Sequence, residues 1–134
     1  MFLRQAKNPL ILFPFWLSVG AGLIAVVVYL SLTPKPPHLP NFAMNDKVGH
    51  CLAYAVLMGW FGQLYRGNLP LAVFALAFIF LGISMEYLQM WGGARYFEYA
   101  DMLADTIGVV VGWILTASVF NGSLNWVEKR LGVS

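Results

Sequence analysis

From Leu10 to Leu32 the chain carries no charged side chain. An apolar run of about 20 residues makes a helix roughly 30 Å long, which matches the hydrocarbon core of a bilayer. Lipid offers the backbone no hydrogen bonds, so such a segment must satisfy its own N–H and C=O groups, and a helix does so. Arg4 and Lys7 precede the run, as they would in a signal peptide. It is too long for the apolar part of one, and no A-x-A-like cleavage site follows. It reads as an uncleaved first span with Pro14 in its first turns, where proline is tolerated or bends the helix mildly.

Three more runs follow, at about 48–65, 69–90 and 99–120, with "RGNLP" ending the second span and "WGGAR" the third. Between the first and second spans, "TPKPPHLPNFAMN" holds four prolines between Pro34 and Pro40, which predicts an extended path rather than a helix. Gly108 and Gly112 in the fourth run form a small-xxx-small pair, suited to close helix packing and equally at home in any membrane helix. In the tail, Leu124, Val127 and Leu131 recur at helical spacing opposite Lys129 and Arg130, as in a short interfacial helix.

Composition supports one membrane domain over residues 1–134. The chain is 60% hydrophobic and 10% charged, against about 25% charged in soluble domains, and its mean hydropathy is +0.71. A net charge of +2 with scattered basic residues argues against nucleic-acid binding. The single cysteine, Cys51, excludes an internal disulfide and any multi-cysteine metal site. The expected fold is all-α, a four-helix transmembrane bundle with a short C-terminal interfacial helix. Arg4, Lys7, Arg66, Lys129 and Arg130 fall on one side of that bundle; Lys35, Lys47 and Arg95 fall on the other. The positive-inside rule then places both termini in the cytoplasm.

The acids are unevenly spread. Four of the six Asp and Glu residues lie in "SMEYLQMWGGARYFEYADMLAD", residues 84–105. Alternating spans bring them to one depth near the outer face. Asp46 and Lys47 stand at the mouth of the second span. His50 and Tyr54 follow on the Asp46 face at i+4 and i+8. Glu86 and Gln89 end the third span, while Asp101 and Asp105 begin the fourth, with Arg95 in the turn between. The cytoplasmic half shows no comparable polar group. Expected pairings are Arg95 with Asp101 or Glu98, His50 with Glu86 or Asp105, and Gln89 as a bridge.

A carboxylate near mid-bilayer costs at least about 2.5 kcal/mol, so intramembrane ionisable groups need a partner or a function. One reading is a hydrogen-bonded clasp between helices. A second is a pocket open to the outer leaflet, with Arg95 and Lys47 meeting an anionic headgroup. A catalytic centre, if any, would use His50 and Glu86 as acid and base. One histidine with carboxylates is a poor zinc set, so no metal and no cofactor is expected. A proton path would need polar groups continuing toward the cytoplasm. His38 reads as a solvated loop residue, and Trp91 and Trp126 as interface anchors.

The segments "DKVGHCLAY" (46–54), "EYLQ" (86–89), "GGARYFEYAD" (92–101) and "MLADTIG" (102–108) resemble the signature of the VanZ-like membrane protein family. The resemblance covers about residues 46–112 and carries the family pattern onto Asp46, Lys47, His50, Glu86, Gln89, Arg95 and Asp101. Where the family more usually has Asn, this chain has Asp105. The namesake of the family is associated with resistance to the glycopeptide teicoplanin. The resemblance therefore implies a protein of the bacterial inner membrane acting in the cell envelope. Its expected partners are membrane lipids or a lipid-linked cell-wall precursor. The leading expectation is a non-enzymatic binder of such a headgroup; the alternatives are a membrane enzyme acting on it and a structural partner subunit.

Overall fold

The computed structural model describes residues 4–5, 10–33, 42–92 and 98–133, and the side chains of residues 4, 5, 42–46 and 66 stand outside that description. The described residues form five α-helices and one antiparallel bridge: α1 Phe13–Leu32, α2 Phe42–Leu64, α3 Asn68–Trp91, α4 Tyr99–Ala117 and α5 Ser123–Arg130. The bridge pairs Arg4–Gln5 with Tyr65–Arg66.

Helices α1, α3 and α4 are long and apolar enough to cross a membrane. Large apolar side chains such as Val26, Leu30, Leu76, Phe80, Leu103 and Ile114 are exposed along them. Stripes of this kind suit lipid rather than water, and the chain is a membrane protein. α2 is 23 residues long, but Lys47, His50 and Gln63 dilute its hydropathy. It compensates by packing: α2 meets α1, α3 and most extensively α4. Its Tyr54, Leu57, Met58, Phe61 and Leu64 fill the core, beside Leu71, Ala75 and Phe78 of α3 and Val109 of α4. Burying that apolar face against protein lets a less apolar helix sit among greasier ones.

The α2–α4 contact depends on two glycines. A Cβ at Gly108 would lie 2.3 Å from the Cys51 carbonyl oxygen, and one at Gly112 would lie 2.5 Å from that of Ala55. Backbone meets backbone there, so the small-xxx-small pair is a packing face. The resulting approach sets the distance between His50 on α2 and the acids of α4.

Several boundaries differ from the sequence reading. α1 begins at Phe13, with residues 11–12 in a turn, and Pro14 falls at its first positions where no intrahelical donor is needed. α2 begins at Phe42, so the end of the proline-rich stretch is helical; its prolines, at 34–40, lie outside the described residues. α4 stops at Ala117, where the Ser118 N–H bonds back to Ile114 and Leu115. α3 enters from Gly67, whose φ of 106° belongs to the left-handed region that favours glycine.

The tail helix exists but turns a different face. Leu124 and Glu128 are buried, whereas Leu131 is exposed. Glu128 accepts from the backbone N–H groups of Ile11 (3.0 Å) and Leu12 (2.8 Å) and from Trp16 Nε1 (2.9 Å). The last helix thus caps the first, satisfying donors that every helix N-terminus leaves open. Nearby, Ser123 Oγ donates to Gln63 Oε1, and Thr116 Oγ1 donates to the Gly59 carbonyl at 3.2 Å. The sequence reading expects no polar group comparable to the acid cluster at this end, and it does not place this buried carboxylate. An acid on an eight-residue helix becomes meaningful only once that helix folds back on α1. Trp126, stacked under Arg130 at 5.1 Å, and Trp91 are exposed.

Candidate functional site

At the opposite end of the bundle, the N-terminal half of α2, the C-terminal end of α3 and the N-terminal end of α4 bring ionisable side chains together. Lys47 donates to both Glu98 and Asp101. One turn deeper, His50 Nδ1 lies 2.8 Å from Asp105 Oδ1, and its Nε2 lies 3.7 Å from Asp101 Oδ2. Spacing explains the order. Positions 47 and 50 are one turn apart on α2, and 98, 101 and 105 climb α4 in matching steps, so the helices meet rung by rung.

Glu86 and Asp105 are buried, at 1% and 2% exposure. Glu86 Oε1 accepts from the Glu98 backbone N–H at 2.7 Å, closing the first turn of α4 against the end of α3. A negative group beside the open N–H groups of a helix N-terminus is favourable. Asp105 fits against α3 because residue 82 is glycine. A Cβ there would lie 2.6 Å from Asp105 Oδ2.

Gln89 turns elsewhere: its Nε2 donates to the Ser31 carbonyl at the end of α1. Because that carbonyl requires a donor, the amide is oriented with Nε2 toward it, and Gln89 Oε1 is left buried without a hydrogen-bond partner among the described residues. The Tyr54 hydroxyl, also buried and without a hydrogen-bond partner among the described residues, lies within electrostatic reach of Glu86 and Asp105.

Of the residues singled out by sequence, Lys47, His50, Asp101 and Asp105 thus form one connected group. Glu86 abuts it through Glu98, and Gln89 joins α3 to α1. The side chain of Asp46 and all of Arg95 lie outside the described residues. Glu98 shares Lys47 with Asp101, and its expected pairing with Arg95 falls outside the described residues. No group of three or more His, Cys, Asp and Glu side chains among the described residues has a metal-holding arrangement.

Tyr54 and Gly82 belong to the site as well. Tyr54 was visible on the 46–50–54 face, and Gly82 stands one turn before Glu86. Ser31 contributes only a backbone carbonyl, for which a sequence carries no signal. A shallow groove on α4 lined by Val110, Trp113, Ile114, Ala117 and Ser118 lies farther along that helix and carries no ionisable group.

Comparison with known proteins agrees with the motifs. No curated protein and no solved structure matches the chain. The VanZ/LLP1 family matches residues 4–121, which take in all four long helices and every residue of the polar group. A match over that much of 134 residues decides the matter: the chain belongs to the VanZ/LLP1 family.

Proposed function

We propose that this protein is a non-enzymatic component of the cell envelope, in the bacterial inner membrane. Its polar group binds the headgroup of an outer-leaflet lipid or a lipid-linked cell-wall precursor. In this reading α2 spans the bilayer with α1, α3 and α4, both termini face the cytoplasm, and the Lys47–Asp105 end faces outward. A bearing on teicoplanin-type resistance enters only through the family's namesake.

The observation that supports binding is a gradient of burial. Side-chain exposure falls from 52% at Glu98 through 31% at Lys47 to 12% at His50 and 3% at Asp105. Polar groups that run from an open rim to a buried floor suit a ligand entering from one side. A clasp that serves only the fold has no use for buried atoms without partners, and Tyr54 and Gln89 each supply one.

The test compares wild type with Glu86→Gln, which keeps an acceptor for the Glu98 N–H. Equal folded yield with a changed set of co-purified lipids supports a binding site. Loss of folded protein would favour the clasp, and an unchanged lipid profile would remove the basis for binding. One feature favours a second reading, a membrane enzyme acting on the precursor: the imidazole of His50 is oriented by Asp105, as a general base would be. That reading requires turnover of a labelled precursor which disappears in His50→Ala.

A further inference from the structure

The tail helix α5 does not keep its whole apolar side for lipid. Leu124 and Glu128 are buried against the bundle, so the centre of that side is covered by protein. Two contacts hold it there. Ser123 Oγ donates to Gln63 near the end of α2, and Glu128 accepts from the start of α1 and the turn before it. The helix is thus pinned across the end of the bundle, and it cannot roll about its axis without breaking these bonds.

What α5 turns outward is cationic. With about 100° between successive residues, Trp126, Lys129 and Arg130 fall on the side opposite Leu124 and Glu128. All three are exposed. Among the described residues Lys129 makes no ion pair or hydrogen bond, and Arg130 only stacks on Trp126, 5.1 Å from the ring centre. The sequence has no second acid at this end. Asp46, Glu86, Glu98, Asp101 and Asp105 belong to the opposite ends of α2, α3 and α4, and Glu128 commits its carboxylate to the donors at the start of α1.

Height is a separate observation. Over its 19 residues α4 rises about 28 Å, close to the thickness of the hydrocarbon core. α5 follows after a turn at 118–122 and so lies at the level of the headgroups. In that turn Val119 and Phe120 are exposed, as is Leu131 beyond the helix. Apolar side chains beside a tryptophan and two uncommitted cations suit a phospholipid surface. An acidic soluble protein would match the cations and leave the apolar turn uncovered.

We propose that the outward face of α5 docks an anionic phospholipid headgroup, such as that of phosphatidylglycerol, in the leaflet at this end of the bundle. Arg130 presents a guanidinium fork to the phosphate and Lys129 a point charge beside it. Since α1 and α2 already hold the helix, binding does not have to order it. The assignment is independent of what the opposite end of the bundle binds.

The experiment titrates phosphatidylglycerol or phosphatidylcholine into purified protein in mild detergent at low salt and reads apparent affinities by native mass spectrometry. Wild type should bind phosphatidylglycerol more tightly, and added salt should shrink the difference. Each cation near an anionic surface contributes about fivefold, so the double variant Lys129→Gln, Arg130→Gln should weaken phosphatidylglycerol binding about 25-fold. Its melting temperature should match wild type, because both side chains are exposed. The charge-keeping pair Lys129→Arg, Arg130→Lys should retain the preference.

Equal affinity of wild type for the two lipids overturns the assignment. A preference that survives in the double variant overturns it too, and leaves the α5 cations to an acidic protein partner. Loss of the preference in the charge-keeping pair would show that charge is not what is read. The weakening should be the same in a Glu86→Gln background; if it vanishes there, phosphatidylglycerol is bound at the opposite end and not on α5. A lipid profile unchanged by Glu86→Gln alone bears on the headgroup site and leaves the α5 assignment standing.

Discussion

Glu128 offers the most quantitative test of the structure, because one buried carboxylate there serves three donors at the start of α1 and in the turn before it. Glu128→Ala removes all three acceptor contacts at once. A buried donor left without its partner costs about 1–3 kcal/mol. The Ile11 and Leu12 N–H groups are only part-buried and regain water when released, so the low end applies to them. Trp16 Nε1 is buried and takes the middle of the range, about 2 kcal/mol. The expected loss is then about 3–4 kcal/mol, in the range of losing a helix cap together with a buried side-chain hydrogen bond. For a chain of this size that corresponds to a fall of roughly 10 °C in melting temperature, measurable by thermal unfolding in detergent.

A double-mutant cycle with Trp16→Phe separates the hydrogen bond from lost packing and should give a coupling of about 1–2 kcal/mol. A Glu128→Ala protein melting within about 2 °C of wild type, or a cycle that is additive, would refute the latch. The same contact predicts a pH dependence. Burial raises the Glu128 carboxyl, and the hydrogen bonds from Leu12, Trp16 and Ile11 more than reverse this, leaving it below its ordinary value. A carboxyl held low in the folded state contributes stability that is present above its unfolded pKa, about 4.3. That stability is lost as pH falls through the lower folded value. Wild type should therefore lose an increment below about pH 4 that Glu128→Gln lacks.

Two further predictions follow from the packing and the proposed topology. Gly108→Ala should destabilise by about 1–3 kcal/mol, since its Cβ must displace backbone of α2, whereas Gly22→Ala, with open space around it, should melt at or above wild type; equal melting of the two would deny the close α2–α4 contact. In a Cys51→Ala background, single cysteines at positions 34–46 should react with an impermeant thiol reagent from outside, and those at 66–69 should not; labelling of the latter set from outside would invert the topology.

The membrane class, the four long helices and the neighbourhood of the acids were legible because each rests on a local quantity. A charge-free run of bilayer length can only become a helix, and alternating helices return their ends to shared depths. That was enough to group Lys47, His50, Glu86, Asp101 and Asp105 and to resemble a family by their order. The partners depended on rotation about helix axes, which the pattern alone does not determine. Lys47 bridges Glu98 and Asp101, His50 meets Asp105 at 2.8 Å, and Gln89 turns to α1. Gly82 and Tyr54 acquired meaning only when α3 and α2 closed on Asp105. Glu128 lay farthest from sequence reasoning, because its donors precede it by more than a hundred residues. Solvation by lipid is a property of each segment and can be read from it. Hydrogen bonding between segments is a property of their docking, and only the folded chain decides it.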